Sequence, residues 1–143
     1  MTQIASSLEV FDRTLHKTNT WLKQLMEVLD TDDRHVAYLA LRGTLHALRD
    51  RLTVEEVAQL GAQLPMLIRG FYYEGWDPTG KPLKVRDREQ FLARIAQEMR
   101  DTGQTDPARA ASAVFRVLAA RIAGGEIEDV KQVLPADIRD LWR

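Results

Sequence analysis

The sequence contains no cysteine, and this absence excludes disulfides, thiol catalysis and thiolate metal sites together. It also contains no apolar run that approaches the ~20 residues of a membrane-spanning helix. The first ten residues lack the basic segment and long apolar run of a secretory signal. We therefore expect a cytoplasmic protein that has no membrane partner.

Neither sign of charge dominates, because 20 Lys and Arg residues stand against 21 Asp and Glu residues, for a net charge of -1. Such a balance gives no strong field to gather nucleic acid, so nucleic acid is not an expected partner. The composition, 45% hydrophobic and 29% charged, is that of an ordinary globular protein. The length predicts a single domain over residues 1–143.

Recognisable catalytic and metal motifs are missing as well. The chain has neither a glycine-rich phosphate loop nor a Gly-x-Ser-x-Gly nucleophile motif. His16, His35 and His46 are spaced too widely to bind one ion, and we interpret them as structural. The aspartates of residues 30–33 lack the glycine and glutamate that a calcium loop needs further along, which favours helix capping. The sequence thus nominates no metal, no cofactor and no enzyme activity.

What the sequence does contain is an internal repeat. A shift of 70 positions pairs residues 21–72 with 91–142 without a gap, and apolar residues fall at matching places in both copies. We predict two helical units, about 11–76 and 87–143, joined by a linker at 77–86 and related by a pseudo-twofold axis. The identical pairs are Leu22/Leu92, Ala40/Ala110, Leu48/Leu118, Arg51/Arg121, Glu56/Glu126, Leu64/Leu134, Pro65/Pro135, Ile68/Ile138 and Arg69/Arg139.

Each unit is predicted to form four helices, because its apolar residues recur at spacings of three, four and seven. Asp106 before Pro107 is typical of a helix start, as is the capping box that Thr53 opens. The second helix is expected to reach Leu52, and Pro65 begins the fourth helix of its unit. The predicted fold is therefore all-α, a compact multi-helical bundle of about eight helices built from two tandem ~70-residue repeats.

Three pairs of polar residues are identical in the two units. A glutamate at the third position of a helix completes a cap, and an arginine in a last turn complements the free carbonyls there. This structural interpretation is favoured over the alternative, a paired functional site with one copy in each unit. The residues are Arg51 and Arg121, Glu56 and Glu126, and Arg69 and Arg139.

An aromatic segment lies where the repeat loses its symmetry. Tyr72, Tyr73 and Trp76 belong to residue types that commonly anchor binding surfaces, and functional residues often collect on irregular segments. The alternative is that Phe71 and Trp76 fill the seam between the units. The leading hypothesis is a non-enzymatic protein-interaction or self-association module that binds a partner protein or a second copy through this segment. The alternative function is a small-molecule binder with an apolar pocket at the seam between the two repeats.

The stretch LTVEEVAQLGAQLPMLIRGFYYEGWDP, from Leu52 to Pro78, is followed in the second unit by FLARIAQEM and LPADIRDLW. Together with Phe11 and the leucine-rich helix before Leu52, this pattern resembles the bacterial domain-of-unknown-function family numbered 2267. The resemblance covers nearly the whole chain, and its Leu-Pro-x-x-Ile-Arg element with the Tyr-Tyr-Glu-Gly-Trp-Asp-Pro tail is fairly specific. It implies a helical bacterial protein of the cytoplasm, and it implies no activity and no catalytic residues.

Overall fold

A computed structural model describes residues 8–83, 87–103 and 106–142, and every regular element in these ranges is a helix. The all-α prediction is confirmed, with eight α-helices in the described part of the chain. The helices are α1 (Glu9–Leu29), α2 (Arg34–Arg49), α3 (Val54–Ala62), α4 (Met66–Tyr73), α5 (Arg88–Met99), α6 (Pro107–Arg121), α7 (Gly124–Gln132) and α8 (Ala136–Arg139). Short 3₁₀ turns, Arg100–Thr102 and Asp140–Trp142, follow α5 and α8.

Four helix starts carry side-chain caps, and those predicted at Thr53 and Asp106 are confirmed. Each cap residue accepts a hydrogen bond from a backbone N–H in the first turn, which satisfies one of the free donors at a helix start. Pro107 occupies the first turn of α6, as its fixed φ angle favours. The caps are Asp33 for α2, Thr53 for α3, Asp87 for α5 and Asp106 for α6.

Helix α2 is shorter than the sequence predicted. The expectation that α2 reaches Leu52 was wrong, because α2 ends at Arg49 and Leu52 lies in the turn that follows. The Leu52 side chain is nevertheless fully buried, so the apolar pattern indicated burial correctly and helix length incorrectly. Part of the predicted linker, residues 84–86, lies outside the described residues. In the part that is described, the N–H of Leu83 donates to the carbonyl of Asp50 at 2.9 Å.

The buried apolar residues of the two predicted units form one cluster. Helices α1 and α2 of the first unit pack against α6 and α5 of the second, and α3 packs against α7. The bounds of α3 and α7 are also 70 residues apart, in agreement with the repeat. This reciprocal pattern is what a twofold axis between the units would produce, and the axis itself stays a prediction.

A helix that crosses a membrane must be both long and apolar. Within the described ranges, no helix combines the length and the apolar character needed to cross a bilayer.

Candidate functional site

The aromatic segment is divided between the interior and the surface. Tyr72 is fully buried, and its hydroxyl donates to the carbonyl of Val57 at 2.8 Å. Burial raises the pKa of Tyr72, so its hydroxyl remains a donor. Tyr73 packs over Gly61, and Trp76 lies against Tyr73 with 5.8 Å between ring centroids. Tyr73 and Trp76 are half-buried, so they are the members of the segment that a partner can reach.

Polar side chains of α2 hold the end of α4. The Nε2 of His46 lies 2.6 Å from the carbonyl of Phe71, and Nη1 of Arg49 donates to the carbonyls of Tyr72 and Glu74. The last carbonyls of a helix have no partner within that helix, so these bonds satisfy them. His46 and Arg49 are both buried. We call this arrangement the α2–α4 clasp.

Sequence analysis did not predict the clasp, although one signal was present. Arg42, His46 and Arg49 lie about one helical turn apart in a helix whose other inward residues are mostly apolar. Buried polar residues at such a spacing need partners, because an unpaired polar group in the interior is costly. Their partners lie on α4 and α5, and they cannot be identified from α2 alone.

A second layer of charged groups surrounds the clasp. Arg42 bridges Glu74 at 2.6 Å and Glu98 at 2.8 Å. The Nη2 of Arg94 lies 3.3 Å from Nδ1 of His46, which makes Nδ1 the acceptor and leaves Nε2 as the donor of a neutral ring. Burial lowers the pKa of His46 against the opposing effect of its backbone hydrogen bond, and the nearby arginines lower it further. His46 is therefore a neutral structural histidine near neutral pH.

The repeated arginines Arg69 and Arg139 make equivalent bonds in the two units. Each guanidinium spans the Leu-Pro corner and donates to two carbonyls near the end of the preceding helix. The bonds are Arg69 Nε to Gly61 O (2.8 Å), Arg69 Nη2 to Leu64 O (2.8 Å), Arg139 Nε to Lys131 O (3.1 Å) and Arg139 Nη2 to Leu134 O (2.9 Å).

The other repeated arginines have different environments. Arg51 is buried, donates to the carbonyl of Ala47 at 3.0 Å and lies 5.4 Å from the centre of the Phe91 ring. Arg121 is exposed, and its Nε donates to Oε1 of Gln24 on α1 at 2.7 Å. One position in the repeat therefore supplies a core residue in the first unit and a surface residue in the second.

The repeated glutamates lie together where α3 meets α7. The backbone N–H of Glu56 donates to Oγ1 of Thr53 at 3.1 Å, which confirms half of the predicted capping box. The Glu56 side chain is 8% exposed and is close enough to the carboxyl of Glu126 to form a hydrogen bond with it when one of the two is protonated. Sequence analysis had placed these glutamates at equivalent positions without predicting their contact.

The three histidines do not come together, since His16 and His35 are exposed and His46 is buried in the clasp. In the described part of the chain, no group of three or more potential ligands could hold a metal ion.

An apolar groove of about 650 Å³ opens between α1, α2 and α4. The hydroxyl of Thr18 lines it and has no hydrogen-bond partner among the described residues, although Thr18 is only 5% exposed. The groove is formed by first-unit residues alone and is therefore not the predicted pocket at the seam. Its apolar walls are Leu15, Leu22, Tyr38, Leu67 and Phe71.

These features define a class of protein: an all-α bundle whose buried polar residues join helices to one another. The family model described as "Uncharacterized conserved protein (DUF2267)" matches residues 18–141, and the chain belongs to this family. The resemblance seen in the sequence is thus confirmed over most of the chain. A comparison with curated proteins finds no match.

Proposed function

We propose that this chain is a non-enzymatic self-association module in which two copies pair through an apolar surface of α1 and α4. The observation that carries the proposal is the exposure of three large apolar side chains beside the groove. Phe11 is 47% exposed, Leu15 43% and Leu67 42%. Contiguous exposed apolar surface in a folded protein typically marks an interaction site. We call these residues, with the groove beside them, the α1–α4 apolar surface.

The α1 part of this surface is one continuous stripe. Phe11, Leu15, Thr18 and Leu22 are spaced by four, three and four residues, which places them on one helical face. Leu15, Thr18 and Leu22 line the groove, whereas Phe11 projects beyond it. The stripe therefore runs from the groove floor out onto the exposed first half of α1.

Helix α4 is fixed against this stripe. The backbone N–H of Leu67 donates to Oγ1 of Thr14 at 3.0 Å, which satisfies a free donor in the first turn of α4. The ring of Phe71, one turn further along, packs edge-on against Tyr38 at 5.3 Å. A groove with walls held in place can accept an amphipathic helix with little rearrangement.

A second copy of the chain is the occupant that the charges favour. The first turn of α1 carries Asp12 and also Glu9, which forms an ion pair with an arginine of the same helix. The groove is lined by Arg34 and His35 and by Glu74, whose charge is paired with an arginine of α2. In a twofold pair with antiparallel α1 helices, the acidic start of one α1 approaches the basic edge of the other groove. Such an isologous contact closes on itself and gives a dimer.

The α1–α4 apolar surface does not include Tyr72, Tyr73 or Trp76. Tyr72 is buried and donates its hydroxyl to Val57, so it does not present a binding surface. Tyr73 and Trp76 are half-buried and pack against each other. Their role in partner binding stays a prediction, and the variant Trp76→Ala tests it separately.

The experiment is analytical ultracentrifugation of the full chain over a range of concentrations. We expect a concentration-dependent dimer for the parent chain and a monomer for Leu15→Asp and for Phe11→Asp. A charge placed in a buried interface without a partner is costly, so either variant is expected to weaken dimerisation by at least about tenfold.

Val54→Asp is the matched control, because Val54 is also exposed, at 49%, but lies at the start of α3 outside this surface. We expect this control to dimerise as the parent does. A parent chain that is monomeric at all concentrations, or a dimer that Leu15→Asp leaves intact, would refute the proposal. Added mass in native mass spectrometry of a monomeric parent chain would instead favour a small-molecule ligand, with the Thr18 hydroxyl as its polar contact.

A further inference from the structure

A cleft of about 780 Å³ lies between α1, the junction of α3 and α4, and the end of α6. It is lined by residues of both predicted units, but its character is basic and not apolar. His16, Lys17, Arg69 and Arg121 supply its titratable groups, and no carboxylate of the described chain lines it. In a protein of net charge -1, this is a local concentration of positive charge.

Both guanidinium groups in the cleft are held in place by bonds that leave some of their donors unused. Arg69 is fixed by its two backbone carbonyls through Nε and Nη2, and Arg121 is fixed by Gln24 through Nε. Nη1 of Arg69 and both terminal nitrogens of Arg121 have no hydrogen-bond partner among the described residues. A ligand that binds Arg69 does not have to order its side chain first, which lowers the entropic cost of binding.

The second unit provides an internal comparison. Arg139 makes the same pair of carbonyl bonds as Arg69, and it also lines a cleft. That cleft, however, is lined by the carboxylates of Glu128 and Asp140, whereas the cleft around Arg69 has no carboxylate among its described lining residues. The structural role of the arginine is therefore common to both units, whereas a cationic cleft without acidic residues is found around Arg69.

We infer that this cleft binds a small organic phosphate monoester. A phosphate monoester carries close to two negative charges at neutral pH and offers three acceptor oxygens, which suits two arginines and a lysine. The cleft is larger than inorganic phosphate requires. Trp21, Pro65 and Met66 add apolar surface for the organic part of the ligand. The inference is independent of self-association, because Phe11, Leu15 and Leu67 do not line this cleft.

Isothermal titration calorimetry of the full chain tests this inference with three probes: phenyl phosphate, inorganic phosphate and succinate. We expect saturable binding of phenyl phosphate, weaker binding of inorganic phosphate and the weakest binding of the dicarboxylate. Added salt should weaken binding, because the contacts are ionic. Absence of saturable phenyl phosphate binding, or tighter binding of succinate, would overturn the inference.

Two variants and their matched controls locate the site. Arg121→Gln and Lys17→Gln remove cations from the cleft, and each is expected to weaken phenyl phosphate binding by about tenfold. Arg116→Gln removes a charge from an exposed position of the same helix as Arg121, and Lys23→Gln does so on the helix that carries Lys17. Both controls should bind as the parent chain does.

Arg69 and Arg139 provide the sharpest comparison. Arg69→Gln and Arg139→Gln each remove an arginine that donates to two carbonyls, so similar losses of stability are expected from the two variants. Only Arg69→Gln is expected to weaken phosphate binding, measured at a temperature at which circular dichroism shows both variants folded. Equal weakening in the two variants would show that any surface arginine suffices, and it would refute a site in the first-unit cleft.

Discussion

The carboxyl groups of Glu56 and Glu126 face each other between α3 and α7, at sequence positions 70 residues apart. One oxygen of each carboxyl is buried without a hydrogen-bond partner among the described residues. Burial, then the hydrogen bond and charge of Glu56, and then the charge of Asp129 raise the pKa of Glu126 to about 8. A single proton shared by the two carboxyls satisfies both oxygens and avoids two adjacent negative charges.

The shared proton makes stability depend on pH in a defined direction. The pKa of Glu126 rises from its ordinary value of 4.5 to about 8 on folding, so the folded chain holds a proton that the unfolded chain releases in this range. The contribution of Glu126 to the free energy of unfolding is therefore greatest below pH 4.5, and it is lost as the pH rises through about 8. Tyr72, the neighbouring titratable group on α4, stays neutral because burial raises its pKa.

Glu126→Gln tests this dependence, because glutamine retains the shape and one donor without the charge. We expect the variant to exceed the parent chain in unfolding free energy at about pH 9 by about 1 kcal/mol, a value reduced for solvent screening because Glu126 is partly exposed. Near pH 5 the two proteins should be similar. Urea unfolding followed by circular dichroism at several pH values measures this difference.

Glu128→Gln is the control for that measurement. Glu128 lies on the same helix but is exposed and forms only an i,i+3 ion pair with Lys131 at 3.4 Å. Its substitution should change stability by less than about 0.5 kcal/mol at any pH. If the stability curves of Glu126→Gln and the parent chain run parallel from about pH 5 to pH 9, the shared proton is disproved.

The lowered pKa of His46 predicts a pH dependence of stability opposite to that of Glu126, because stability is lost as the pH falls. Its pKa in the folded chain is lowered from the ordinary 6.5, chiefly by burial, so the unfolded chain binds a proton that the folded chain resists. Stability from this group is present above pH 6.5 and is lost as the pH falls below it. His46→Gln retains a donor for the carbonyl of Phe71, and we expect it to flatten this loss while costing about 1 kcal/mol at neutral pH.

Chemical unfolding between about pH 5 and pH 7 measures the effect of His46, and the Glu126→Gln background removes the opposing contribution of the glutamate pair. His35→Gln is the control, because His35 is exposed. If His46→Gln retains the full acid dependence of the parent chain, then another group is responsible.

The order of the helices could be predicted from the sequence because the signals involved are local. A cap such as Thr53 or Asp106 bonds to a backbone N–H within three residues, so its effect does not depend on the rest of the fold. The turns at Pro65 and Pro135 follow from local backbone restrictions in the same way. Burial was also predictable where apolar residues repeat with helical spacing.

The contacts between helices distant in sequence could not be predicted, since they depend on how helices pack in space. Glu56 and Glu126 were recognised as equivalent positions, but only packing of α3 on α7 shows that they meet. His46 and Arg49 have partners at the end of α4, more than 20 residues away. Treating the aromatic segment as one surface also overlooked that neighbouring residues of a helix point about 100° apart. Tyr72, four residues after the buried Ile68, therefore faces inward.

Tyr72 and Trp76 should respond differently to substitution. Tyr72→Phe removes a buried hydroxyl that donates to Val57, and we expect a loss of about 1 kcal/mol in unfolding free energy. The oligomeric state measured by sedimentation should not change. Trp76→Ala removes a half-buried ring and should reveal any contact that the segment makes with a partner or second copy. A change in the sedimentation of Tyr72→Phe while it remains folded would contradict the buried, structural role of Tyr72.

Gly43 marks the closest approach of α2 and α5, and its replacement is expected to disturb that contact. A Cβ atom at Gly43 would lie 2.9 Å from Cβ of Glu98, which is too close for both helices to remain in place. We expect Gly43→Ala to lower the unfolding free energy by about 1–3 kcal/mol, despite the better helix propensity of alanine.

Gly70→Ala is the matched control in α4, where a Cβ atom meets nothing within 4 Å. This control should stabilise the chain by about 0.5–1 kcal/mol through helix propensity. Urea unfolding of both variants gives the comparison, and a Gly43→Ala variant as stable as Gly70→Ala would show that α2 and α5 are not packed this closely.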